Sequence, residues 1–100
     1  MKTTRMDMNE KCREALGLFS GGDASKDKFE SLKRTMQEAM IASDKSTEEG
    51  RMDHGALLLF LCAIDDFEKH EKTEDQQLKS KLFMAAVGKL RSSEIQYDRA

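Results

Sequence analysis

The sequence predicts an all-α fold, a small bundle of four helices in a single domain. Three observations lead there. The 100 residues include no proline, so nothing along the chain forbids a helical backbone. Apolar residues recur three and four positions apart through most of the length, the spacing that gathers them on one helical face. Val and Ile, which favour strands, are few: Ile41, Ile64, Val87 and Ile95. A chain of this length matches one domain and is long enough to bury one modest core.

The first helix is expected over about 5–19, where Met8, Cys12, Ala15, Leu16 and Phe19 share a face. Ser20-Gly21-Gly22 follows, and paired glycines suit the left-handed backbone of a helix end. Asp23 or Ser25 is placed to cap the second helix, expected over 24–42 with Phe29, Leu32, Met36, Ala39 and Met40 inward. Lys33, Arg34, Gln37 and Glu38 would form its wet side. Ser46-Thr47-Glu48-Glu49 has the form of a capping box, with Ser46 as cap, opening a third helix over 47–70. From Gly55 to Ile64 that helix has no polar face. The ten positions from Glu68 to Gln77 have no apolar residue, and Thr73-Glu74-Asp75-Gln76 is a second box. A break there is preferred to one long helix. The fourth helix, over 74–92, carries Leu78, Leu82, Phe83, Ala86, Val87 and Leu90; Gly88 inside it is unfavourable, and close helix approach would be one reason to keep it. Ile95 and Tyr97 are the anchors of the tail.

Composition narrows the function classes. Hydrophobic residues make up 38% and charged residues 36%, too charged for a membrane protein and too apolar for a disordered one. The longest apolar run, Ala56 to Ile64, is nine residues; a membrane span needs about 20. Met1 to Glu10 has no apolar segment of the kind that opens a secretory signal. Cys12 and Cys62 sit among apolar neighbours, where reduced thiols act as small hydrophobes. A cytoplasmic location is expected. Net charge is −2 and evenly split between the two halves, so no charged tail marks a polyanion or polycation partner.

The search for chemistry finds no motif. Cys12, His54, Cys62 and His70 do not fall at zinc-ligand spacing. Asp44, Ser46 and Glu48 fit the start of a calcium loop, but Glu49 and Gly55 stand where glycine and a bidentate glutamate are required. Asp53 and His54 are adjacent, and adjacent residues diverge on a helix. Asp65, Asp66 and Glu68 read as a solvated helix end rather than an acid–base pair. Ser20-Gly21-Gly22-Asp23 lacks the Lys-Ser/Thr of a phosphate loop. No cofactor, metal or catalytic residue is expected, and the chain is expected not to be an enzyme.

Two features survive. Asp65 to Asp75 holds six acids and two bases, whereas Gln76 to Ser93 holds Lys79, Lys81, Lys89 and Arg91 with no acid. These cations are either partners for the acidic segment or a basic face able to meet an acidic partner or a phosphate backbone. The second feature is an apolar surplus on helix 3, where Leu57, Leu58, Phe60 and Leu61 are expected to meet a partner or a second copy of the chain. The seven methionines fit the same choice: Met36 and Met40 belong to the core, and Met1, Met6 and Met8 cover either core or partner. The expectation is a protein-binding module, a small regulator, adaptor or inhibitor, homodimeric through helix 3. A nucleic-acid-associated protein is the alternative.

Overall fold

The computed structural model describes residues 7–20 and 26–99. They form four helices and no strand: α1 (Met8–Ser20), α2 (Lys26–Ala42), α3 (Glu48–Lys72) and α4 (Gln76–Arg99). The Gly-Gly stop and the Asp23 and Ser25 caps lie outside the described residues, as do Met1 and Met6.

Each described helix start has a local cause. Asp7 caps α1, its Oδ1 accepting from the Glu10 N–H at 3.1 Å. Both capping boxes are shifted from their expected positions. At α3 the cap is Thr47, not Ser46: its hydroxyl accepts from the Gly50 N–H at 2.9 Å. Ser46 instead turns back, donating from N–H and hydroxyl to Asp44 Oδ1 at 2.9 and 2.5 Å. Asp44 therefore shapes a tight turn rather than a cation loop, and the two Ser46 bonds hold its carboxyl below the usual value. Gly50 occupies the place a reciprocal glutamate would need, because any Cβ there would collide with the Asp44 carbonyl. At α4 the cap is Asp75, which accepts from the N–H groups of Gln77 and Leu78 at 2.9 and 3.4 Å. Thr73 ends α3, its N–H bonded to the His70 carbonyl at 3.3 Å. The polar stretch thus contains a true break, three residues long.

The helices run up-down-up-down. Antiparallel pairing of α3 and α4 is fixed by Gln96 Nε2 donating to the Met52 carbonyl at 2.9 Å and by Lys89 reaching Asp66. Asn9 to Glu94 and Cys12 to the Leu90 carbonyl do the same for α1 and α4. α3 and α4 pack most extensively, and α2 rests on α3 and α1 without meeting α4. The result is a square in which α2 and α4 stand at opposite corners.

All four helices share one core. Met8, Cys12 and Ala15 supply it from α1, and Leu32 and Met36 from α2. Phe60, Phe67, Leu57 and Ile64 are its largest contribution, all from α3. The α3–Lys72 end is aromatic: Phe19 stacks on Phe67 at 4.4 Å between centroids, and His70 meets Phe19 edge-on at 4.9 Å. Met8 is buried in the chain's own core, so it is not available to a partner. α4 runs seven residues past its expected end of 92, because Ala86, Leu90, Ser93 and Tyr97 continue one buried stripe. Ser93 can sit there because its hydroxyl donates to the Leu90 carbonyl at 2.8 Å.

Candidate functional site: the outward face of α4

The apolar surplus expected on helix 3 is largely consumed within the chain. Leu57 and Phe60 are buried in the core, and Leu61 packs against it half-covered. Of the four predicted contact residues only Leu58 stays open, at 47% exposure. The sequence reading overestimated the surplus because three neighbours reach α3, including α1 across the diagonal of the square. No helix among the described residues is long and apolar enough to cross a membrane.

The predicted basic face does not exist as one face. A helix turns about 100° per residue, so Lys79, Lys81, Lys89 and Arg91 point to roughly 0°, 200°, 280° and 120° around α4. Lys79 is half-buried. Lys89 is committed inside the chain: its Nζ lies 2.6 Å from Asp66 Oδ2, and Asp66 is only 6% exposed. Donating a hydrogen bond to that carboxylate pushes the Lys89 pKa up. Lys33 makes an equivalent tie from α2, 2.9 Å from Glu68, and its pKa is raised by the same kind of bond. Acidic α3 is thus clamped on both sides by lysines of its neighbours. Part of the charge segregation in the sequence is self-complementarity.

What remains open is a different surface. Taking Gly88 as zero, Lys81, Met84, Arg91, Ile95 and Arg99 all project within roughly 60° of it. All five are exposed, Met84 at 73% and Ile95 at 45%. Ala85 and Ser92, also exposed, lie beside Gly88. No acid falls in this sector; Glu94 points away from it and accepts from Asn9 at 2.6 Å, and Asp98 stands just outside it, about 20° beyond Arg91. Lys81, Arg91 and Arg99 have no ion-pair partner among the described residues. Gly88 has no neighbour within 4 Å of where a Cβ would stand, so close approach of helices inside the chain does not explain it. The sequence reading missed this face because it ended the helix at 92 and so left Ile95 and Arg99 out of register.

The two thiols are both free. Cys12 is buried between α1 and α4, 3.4 Å from the Leu90 carbonyl, and burial pushes its pKa up to about 11. Cys62 is exposed on α3. Among the described residues no group of three or more His, Cys, Asp or Glu stands together as metal ligands would.

No family model matches the chain. No curated protein and no solved structure matches it either.

Proposed function

We propose that the chain is a non-enzymatic protein-binding module, a small regulator, adaptor or inhibitor that works by occupying another protein's surface. One observation carries the reading: large apolar side chains stand in water beside uncommitted cations on the outward side of α4. Every buried side-chain polar atom among the described residues is hydrogen-bonded, so none of them waits for Lys81, Arg91 or Arg99. Scattered single apolar residues are ordinary on a surface. Met84 and Ile95 share one helical sector, about 16 Å apart along the axis with Gly88 between them. Action in the cytoplasm belongs to the same reading and is supported by two free thiols.

The test is photo-crosslinking in the cells that make the protein. A photoreactive amino acid at position 84 should yield an adduct with one discrete protein, and the same residue at position 37 on α2 should not. Adducts with nucleic acid alone, or none at either position, would overturn the reading.

A homodimer through α3 is a narrower form of this proposal. Leu58 and Cys62 favour it, as the exposed apolar side chains on that helix. Sedimentation at micromolar concentration should then give twice the chain mass of 11.4 kDa; a single 11.4 kDa species would rule it out.

A further inference from the structure

We infer that the outward face of α4 receives an acidic amphipathic helix of a different protein, laid along the strip of small residues at Gly88. The inference rests on the protein-binding reading and specifies its partner. Three properties of the face select that occupant.

The first is charge. Lys81, Arg91 and Arg99 lie in the sector and none is paired among the described residues; the nearest acid of the helix, Asp98, stands just outside it beyond Arg91. From Lys81 to Arg99 the face is about 27 Å long, at 1.5 Å per residue, the length of a helix of five turns. Carboxylates spaced along such a helix would find a cation near each end.

The second is shape. Gly88, Ala85 and Ser92 form a low strip between Met84 and Ile95. Small residues let a second helix backbone approach closely, and Met adapts to irregular contours. Gly88 weakens the helix relative to alanine. Nothing within the described chain recovers that cost, since the space above it is open.

The third is what the chain itself lacks. Among the described residues a second copy offers no purely acidic face: the exposed side of α1 sets Arg13 between Glu10 and Glu14, that of α2 mixes Asp27, Glu30 and Glu38 with Lys28 and Arg34, and that of α3 joins Asp65 to Lys69 at 3.1 Å. A nucleic acid fits less well. The chain is net negative, the face has no aromatic ring to stack a base, and its centre is apolar.

The experiment uses the full chain and three fluorescent probes at low salt: a synthetic helix of about 20 residues (about 30 Å) with leucine at helical spacing and flanking glutamates, the same helix with lysines for glutamates, and a short duplex DNA. The acidic helix should bind about tenfold more tightly than its lysine twin, a difference of about 1.4 kcal/mol. That preference should shrink as salt rises. Gly88→Gln, which places a side chain in the strip without harming the helix, should weaken acidic-helix binding about tenfold while circular dichroism shows an intact fold. The double variant K81E/R91E should reverse the preference between the two peptides. Equal binding of the two peptides, tighter binding of the DNA, or indifference to Gly88→Gln would overturn the inference. A discrete protein adduct at position 84 in cells, together with any of those results, would remove the acidic helix and leave the protein-binding reading standing.

Discussion

The two long helices are nearly equal in length and lie side by side, yet they have opposite relations to water. α3 is enclosed by α2 and α4 with α1 behind, and eight of its residues are buried. α4 buries four, all on one stripe, and turns the rest outward. α3 is the more apolar in sequence, and a reader of composition would look there for a binding surface. The enclosed helix is apolar because neighbours cover it. The corner helix is where apolar side chains are left over. Excess hydrophobicity in a sequence therefore locates the core before it locates an interface.

The sharpest way to break that contrast is a pair of truncations. Phe67→Ala on α3 removes a fully buried ring stacked against Phe19 and should cost about 3–5 kcal/mol. Met84→Ala on α4 should change stability by less than about 0.5 kcal/mol. Urea unfolding followed by circular dichroism measures both. Similar losses at the two sites would mean that α4's outward face is packed.

The thiols give a second contrast, between the inner face of α4 and the outer face of α3. Cys62 should react with a thiol reagent at once at neutral pH, and Cys12 only when the bundle opens. A titration showing two fast thiols per chain would contradict the burial of Cys12. The sign of the pH effect follows from the raised Cys12 pKa. The folded state holds the thiol proton up to about pH 11, whereas the unfolded chain releases it near 9.0. That contribution is complete below pH 9 and fades as pH rises toward 11, by about 2–3 kcal/mol at 1.36 per unit. Cys12→Ala should flatten the alkaline limb over that window. Lys89, whose pKa is also raised, adds a loss that sets in above the ordinary lysine value of 10.5 and that the substitution leaves in place.

The glycines supply the smallest effects and the finest comparison. Gly50→Ala on α3 forces a Cβ against the Asp44 carbonyl. The crowding should outweigh the gain in helix propensity, for a net loss of about 1–2 kcal/mol. Gly88→Ala on α4 meets open space and should stabilise by up to about 1 kcal/mol. Opposite signs in thermal melts are expected. A loss at Gly88 would mean that something within the chain already covers the strip.

The fold was legible to different degrees in its parts. The inward positions of α1 and α2 follow from spacing alone, since Met8, Cys12, Ala15, Leu32 and Met36 are buried as their periodicity predicts. The break at 73–75 was legible because ten polar residues give a long helix nothing to pack on. The capping residues were misplaced by one or two positions: Thr47 rather than Ser46, Asp75 rather than Thr73. Neighbouring Ser, Thr and Asp compete for the same N–H groups, and three-dimensional loop geometry decides among them. The end of α4 was misjudged because its stripe continues through Ser93, which sequence reads as polar. Burial there depends on a carbonyl one turn back.

Sequence by itself determined that this protein is helical, where its helices lie to within a few residues except at the end of α4, and which sides of α1 and α2 turn inward. Those properties are local, set by propensity and by the 3.6-residue repeat. Tertiary structure decided the rest. It enclosed Leu57 and Phe60, paired Lys89 with Asp66, dispersed the expected basic face and left Met84, Gly88 and Ile95 outward. Which side of a helix meets water depends on how many neighbours surround it, and that number is a property of the assembled bundle.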